Sequence, residues 1–409
     1  MNAYRVGGCV RDALLGIPAK ERDWLVVGET PEGMLARGFR QVGAEFPVYL
    51  HPETREEYAL ARTERKSGPG YKGFEVACSP EIALEEDLAR RDLTINAMAL
   101  DHADRLIDPF GGERDVRRRV LRHVSPAFAE DPLRVLRVAR FLARFNYLGF
   151  TIDPETLGLM GELARAGELA HLTSERVWQE TVLALRTRAP EVFFQVLERC
   201  GGLVEVFPEL AAMRGKCHSP VHHPEGDAWA HAMLVLRNAA GLTPDPVVRF
   251  AALTHDVGKG ATPDEELPHH YGHEQRGAVI VAALCERLRA PRRYSRLAVK
   301  VAAQHMRCHR VFEMRPGKVV TLLEHLGALH HDDFFEEVLL VCAADCLGEG
   351  CVGSYPAGEV LRACVEAMRS VDPRPLVASG LRGSRLGEVL RQERVRRVRA
   401  VLGEMRSGG

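Results

Sequence analysis

Short apolar runs separated by turn residues occupy the first hundred or so positions, and the pattern then changes character. Tyr4 to Val6, Trp24 to Val27, Glu57 to Ala61 and Arg105 to Asp108 each read as a strand, the last running into Pro109 and Gly111-Gly112. A helix ending at Gly16 follows the first of them. The stretch Arg65 to Phe74 is basic and rich in Gly and Pro, which predicts a mobile loop. From about residue 113 onward apolar residues recur at helical spacing almost everywhere.

The clearest helix start is Glu130-Asp131-Pro132, with Asp131 as N-cap and Pro132 at the first helical position. Leu133, Leu136, Phe141 and Phe145 form its apolar side, while Arg134, Arg137, Arg140 and Arg144 repeat every three or four residues as a stripe on one face. Taken alone, that stripe fits a solvated surface as well as a phosphate-binding one. Pro220 to Gly226 interrupts the helical pattern, and the charged chain beyond Asp372-Pro373-Arg374-Pro375 reads as a terminal helix or tail. The pattern predicts a small α/β head followed by largely α-helical segments, divided as 1–140, 141–225 (neck and body), 226–370 and a charged tail at 371–409.

A chain of 409 residues exceeds one hydrophobic core, in keeping with several domains. The net charge of -1 gives no global basic field. The charge is uneven, however: nine arginines lie between Glu113 and Arg144 against four acids, a local excess suited to phosphates. Of the 55 basic residues 48 are arginine, which favours bidentate contacts but is equally what GC-rich coding would produce. Ten scattered cysteines without Cys-x-x-Cys predict reduced thiols. With no secretory signal pattern and no apolar run long enough to span a bilayer, the expectation is a soluble cytoplasmic protein that does not engage membranes.

Three groups of residues carry chemistry. Gly7 and Gly8 sit between a strand and a helix, where backbone amides favour an anion, and Arg11 in the first helical turn adds a guanidinium fork. Glu21 and Asp23 are two apart at the start of the Trp24 strand, so both carboxylates face one side and could hold Mg²⁺ against a triphosphate. The second group, Glu86 to Ala97, is dense in charge and runs into an apolar stretch read as helical. Arg91 there could bind triphosphate or ribose, with Asp92 and Asn96 orienting it, or the cluster could be an internal salt-bridge network. A third catalytic carboxylate is left open between Glu57 and Asp92. The third group is His255-Asp256-Val257-Gly258-Lys259, with His231 upstream and His273, His305 and Asp345 downstream. An imidazole and carboxylate set of this kind suits Ni²⁺, Mn²⁺ or Co²⁺, or Mg²⁺ with more water. His269, His270, His309, His325, His330 and His331 carry no evident ligand pattern, His218, His222 and His223 read as surface, and Glu175 to Leu185 with Trp178 reads as packing.

In order, Val6-Gly7-Gly8-x-Val10-Arg11-Asp12, Glu21-x-Asp23, Arg90-Arg91-Asp92-x-Thr94-Ile95-Asn96-Ala97, Glu130-Asp131-x-x-Arg134 and Arg137-x-x-Arg140-Phe141 resemble the successive motifs of the class II CCA-adding tRNA nucleotidyltransferases. The likeness spans roughly residues 1–370 and is greatest to the bacterial members that add a phosphohydrolase domain. The family usually has Asp-x-Asp where this chain has Glu21-x-Asp23; glutamate is one methylene longer but keeps its ligand capacity. The resemblance implies a polymerase-β-like head over 1–140 and an HD domain over 226–370. It implies Mg²⁺ on Glu21 and Asp23 and nucleotide contacts from Gly8, Arg11, Arg91, Arg137 and Arg140. Base reading falls to Asp131 and Arg134. Cytosine and adenine both pair an exocyclic amino donor with a ring-nitrogen acceptor, whereas uracil and guanine reverse that order, so a carboxylate and a guanidinium could select C and A without a template.

The third group resembles the HD metal-dependent phosphohydrolases, with His231, His255, Asp256 and Asp345 as ligands and His273 and His305 as further candidates. The implied function is addition of CCA to tRNA 3' ends from CTP and ATP with release of pyrophosphate. Phosphatase, 2'-nucleotidase and 2',3'-cyclic phosphodiesterase activities at a Ni²⁺-type or other divalent transition-metal site would add repair of damaged ends. A poly(A) polymerase on the same head, a pure phosphohydrolase and a non-enzymatic tRNA-binding module are the alternatives. Monomer and homodimer remain open.

Overall fold

The computed structural model describes residues 1–18, 22–42, 48–66, 74–217, 226–348 and 354–407. The chain divides into two units, Met1–Val206 and Phe207–Gly409.

In the first unit β1 (Asn2–Val6) leads directly into α1 (Gly8–Leu14), and β2 (Asp23–Val27), α2 (Pro31–Ala36), β3 (Arg40–Val42), β4 (Val48–Leu50) and β5 (Glu57–Leu60) follow. Beyond them come β6 (Arg62–Lys66), β7 (Phe74–Cys78), α3 (Leu84–Ala89), β8 (Ala99–Leu100), β9 (Leu106–Ile107) and α4 (Gly112–Arg118). One seven-stranded sheet has the order β3-β4-β5-β2-β1-β8-β9. Strand alternation gives it two apolar faces: Val6, Leu25, Ala61, Leu88 and Ala99 pack on one, and Val26, Met34, Phe39, Tyr49 and Leu60 on the other. β6 and β7 form a separate antiparallel pair. Part of the expected loop is therefore strand, since Arg65, Lys66 and Phe74 belong to that ladder, and 67–73 lies outside the described residues.

The helical remainder of this unit comprises α5 (Leu133–Phe145), α6 (Pro154–Arg165), α7 (Ser174–Leu185), α8 (Glu191–Arg199) and α9 (Leu203–Val206), with β10 (Val120–Leu121) pairing in parallel with β11 (Thr151–Ile152). α5 begins one residue later than expected, with Pro132 rather than Asp131 at its cap position, although the Asp131 carboxylate accepts the Leu133 N–H at 3.1 Å. The apolar stretch after Asp92 is not a helix. It forms a 3-10 turn at Thr94–Asn96 and then β8, because its buried residues enter the sheet between β1 and β9.

The second unit is helical: α10 (Pro208–Ala211), α11 (Ala228–Leu242), α12 (Pro246–Thr254), α13 (His273–Arg287), α14 (Arg292–His309), α15 (Pro316–His325), α16 (Asp332–Gly348), α17 (Pro356–Arg369), α18 (Arg374–Ala378) and α19 (Gly383–Ser407). Asp227 and Asp245 cap α11 and α12 through the N–H groups of Ala230 and Val247. α14 packs against α12, α13 and α16, α11 against α12 and α16, and α19 against α15 and α17. Seven described cysteines are free, as expected, but Cys346 on α16 is disulfide-bonded. Scattered cysteines argue against a disulfide framework, not against a single bond. Among the described residues no helix is long and apolar enough to cross a membrane.

Candidate functional site

The end of β1 fixes the first site. Val6 pairs with Asp23 on β2, and Asp23 lies in parallel register with Glu57 on β5, so the two acidic residues occupy neighbouring positions at the starts of two adjacent interior strands. Glu21 lies outside the described residues. After Val6 the chain turns at Gly7, whose φ of 69° belongs to glycine and where a Cβ would sit 3.0 Å from Arg91 Nη1. That turn brings Gly8 and Arg11 to a cleft of about 540 Å³ lined also by Asp23, Arg91, Asp131, Arg134, Arg137 and Arg140.

Nine arginines and three aspartates line this cleft, so it carries the positive field a polyphosphate requires. Most of these guanidiniums are held by a partner. Arg11 is buried, bonded to Asp12 and Asn96 and stacked by Phe141 and Phe145 at 5.2 and 5.1 Å, and burial lowers its pKa. Arg91 grips Asp87 and the carbonyl of Asn96. Asp92 accepts from the Asn96 amide at 2.9 Å and from Arg137 Nε at 2.8 Å. Burial alone would raise the Asp92 pKa, but Arg137 and Asn96 outweigh it and hold the carboxyl below its ordinary range. Asp92 is thus paired with Arg137 and lines the cleft, while Glu57 stands beside Asp23 in register.

At the start of α5, Arg134 donates to the carbonyls of Ala127 and Arg90, which fixes its orientation. Asp131 is gripped by Arg176 of α7, and Arg140 by Glu180 of the same helix. Arg176 and Glu180 were not singled out by sequence, where α7 reads as packing; Trp178 is indeed buried. Their spacing of four on one helix was the available signal.

The second site is assembled in the second unit. His231 comes from α11, His255 and Asp256 from the end of α12, His273 from the start of α13, His305 from α14 and Asp345 from α16, and all are buried. His231 Nε2 is 2.9 Å from Asp345 Oδ1 and 3.8 Å from Asp256 Oδ2, and His255 Nε2 is 3.6 Å from Asp345 Oδ1 and 3.4 Å from Asp256 Oδ2. Lys259 Nζ is 2.5 Å from Asp256 Oδ2. Burial would raise both aspartates, yet Lys259 and His255 hold Asp256, and His255 with His231 holds Asp345, well below the usual carboxylate range.

Buried ligand atoms without hydrogen-bond partners, among them His255 Nε2, fit a cation. Gly258 is required by close approach: a Cβ there would meet the His273 carbonyl oxygen at 2.0 Å and Gly277 N at 2.5 Å. His309 was missed; its Nε2 lies 2.9 Å from Asp345 Oδ2 and its Nδ1 3.2 Å from the Tyr355 hydroxyl. It sits one helical turn after His305, a spacing that would have flagged it. His218, His222 and His223 lie outside the described residues.

Three family models match successive segments of the chain. The model of the poly A polymerase head domain matches residues 3–122, that of a probable RNA and SrmB-binding site of polymerase A matches 149–214, and the HD domain model matches 228–348. The chain is 53% identical to a multifunctional CCA protein of Nitrosococcus oceani over 98% of both chains. It is 54% identical to one of Methylococcus capsulatus over 98% of this chain and 95% of that one. Among solved structures it is similar to a CCA-adding enzyme with ATP (TM-score 0.66, 21% identity, 97% of this chain and 86% of the other). The same enzyme type with CTP gives 0.65, 22%, 97% and 86%, and the Thermotoga maritima CCA-adding enzyme complexed with tRNA_CCA gives 0.64, 20%, 100% and 91%. With a polymerase-type head, an HD domain and relatives more than half identical along nearly its whole length, the chain belongs to the multifunctional CCA protein family, the CCA-adding nucleotidyltransferases that carry an HD phosphohydrolase domain.

Proposed function

We propose that this protein adds C, C and A in turn to tRNA 3' ends without a nucleic-acid template, using CTP and ATP and releasing pyrophosphate. The observation that carries the reading is the arginine cleft itself, whose lining includes the Asp23 carboxylate together with Asp131 and a fixed Arg134 guanidinium. Asp23, with Glu21 and Glu57 nearby in sequence or register, fits Mg²⁺, which when bound supplies charge neutralisation at the reacting phosphate. Arg11, Arg91, Arg137 and Arg140 would hold the triphosphate and ribose, their partners keeping each guanidinium in place. Asp131 would accept from the amino group of C or A while Arg134 donates to the ring nitrogen. The relatives solved with ATP, CTP and tRNA support these partners.

His231, His255, Asp256 and Asp345 would hold a divalent transition metal, Ni²⁺ among the candidates, which when bound polarises a phosphoryl oxygen. Lys259 would neutralise phosphate charge. Phosphatase, 2'-nucleotidase and 2',3'-cyclic phosphodiesterase activities at this site would clean damaged tRNA ends before they are rebuilt.

The test is incubation of the purified protein with tRNA lacking CCA, Mg²⁺ and each labelled nucleotide alone and combined. Three additions with CTP required before ATP are expected. A long ladder from ATP alone would make the head a poly(A) polymerase, and no extension would leave only the HD site.

A further inference from the structure

The C-terminal end of α14 and its connection to α15 line a groove of about 520 Å³ outside both sites already described. Met306 and Met314 give it a half-buried thioether surface, and Arg307, Arg315 and Lys318 surround it. Arg310 on its rim is neutralised by Glu313. The other three cations meet no carboxylate among the described residues, and no hydrogen bond or ion pair engages the Arg315 or Lys318 side chain. At the other end of α14, by contrast, Arg293 is bound to both Asp245 and Glu337.

The position of the groove relates it to the histidine and aspartate cluster. Glu274, Met306 and Arg310, all in its lining, directly follow His273, His305 and His309 in sequence, and consecutive Cα atoms are about 3.8 Å apart. Glu274 Oε2 is itself 3.8 Å from His273 Nδ1. Neighbouring residues on a helix point about 100° apart, so the buried cluster faces the interior of the unit while the groove faces solvent. A nucleoside monophosphate places its one phosphate at the cluster and has no second anion for the unpaired cations. A strand has one: the phosphate of the preceding linkage supplies charge for Arg307, Arg315 and Lys318, and its base offers an aromatic face to the sulfur atoms of Met306 and Met314.

We propose that this groove is an RNA subsite of the second unit, which holds the nucleotide preceding a strand's 3' end while the end itself lies at the cluster. Its ligand is a single-stranded ribonucleotide chain, since only an unstacked base reaches the methionines. The groove accepts any base, because sulfur contacts and phosphate pairing read no hydrogen-bonding edge. The HD centre thereby favours RNA ends over free nucleotides. The inference rests on the reading of that centre as a phosphohydrolase.

The test compares the unaltered full-length chain with the double variant Arg315→Ala/Lys318→Ala, both positions being exposed. Chelator-treated protein is titrated with a fluorescein-labelled hexaribonucleotide ending in a 3' phosphate, and binding is read by anisotropy at several salt concentrations. Each phosphate contact on a single strand contributes about 0.7 to the slope of log affinity against log salt, so the double variant should lose about 1.4. Protein reloaded with Ni²⁺ is then given the same hexamer with a 2',3'-cyclic phosphate end, or cytidine 2',3'-cyclic phosphate alone. The ratio of the two kcat/KM values, hexamer over mononucleotide, should fall about tenfold in the double variant, with Lys318→Glu acting in the same direction. An unaltered slope or an unaltered ratio would overturn the subsite and leave the HD centre standing. Turnover of neither substrate by the unaltered chain would instead overturn the phosphohydrolase reading of that centre, and the inference with it.

Discussion

Arg176 holds the Asp131 carboxylate with two bonds, 2.8 Å from Nη2 to Oδ2 and 3.2 Å from Nη1 to Oδ1. The carboxylate assigned to base reading is therefore oriented from α7, a helix that carries none of the sequence motifs. Replacing Arg176 by Ala should lower kcat/KM for both CTP and ATP by about tenfold, equivalent to about 1.4 kcal/mol, and raise UTP misincorporation. Arg176→Lys keeps the charge but not the fork and should recover only part. Single-nucleotide kinetics with all four triphosphates will check this; unaltered selectivity in Arg176→Ala would assign the pair a purely structural role.

Arg134→Ala should act on selectivity more strongly than on Mg²⁺ dependence. A good bidentate contact is worth about 1–3 kcal/mol of discrimination, so preference for C and A over U should fall about 5- to 150-fold. Titrating Mg²⁺ against the rate in the same variant should give an unshifted midpoint.

Asp92 and Arg137 predict a pH-dependent contribution to stability. The Asp92 pKa is depressed in the folded protein, so its contribution is fully present above the unfolded carboxylate value of about 3.9 and is lost as pH falls through the lower folded value. Asp92→Asn should cost about 1–3 kcal/mol at pH 7, towards the lower end because the Arg137 side chain is 35% exposed. The difference in urea midpoint between the two proteins should begin to narrow below about pH 4; a constant difference from pH 7 to pH 3 would contradict the ion pair.

Gly258→Ala should disturb the second unit alone. The added methyl would lie 2.0 Å from the carbonyl oxygen of His273, and overpacking of this kind costs about 1–3 kcal/mol. Calorimetry should show a lowered transition for the unit containing Phe207–Gly409, with reduced metal retention and CCA addition preserved.

Asp23→Ala should abolish nucleotide addition and spare phosphohydrolase activity, while His255→Ala should do the reverse. Loss of both activities in either well-folded variant would contradict two chemically independent centres.

The motif-bearing residues were legible because chemistry compresses them: Gly7-Gly8, Asp131-x-x-Arg134 and His255-Asp256 each lie within a few positions. Their partners were not. Arg176 meets Asp131 across 45 positions and His309 meets Asp345 across 36, and no local pattern encodes contacts made by helix packing. The stretch after Asp92 misled for a related reason: a short apolar run fits a helix or a strand, and only pairing of β8 with β1 decides. The basic stripe, ambiguous as sequence, is resolved by Phe141, Asp92 and Glu180, which fix its arginines around a cleft.

Arg11 and Asp12 bind the first helix of the head to α5, through Phe141 and Phe145 on one side and Arg144 on the other. On the proposed reading, that junction would make α5 a ruler, with the base measured at its start and the phosphates located from its later turns. A purine or pyrimidine of the wrong pattern would then register as misalignment of the reacting phosphorus, and fidelity would be enforced in kcat more than in KM.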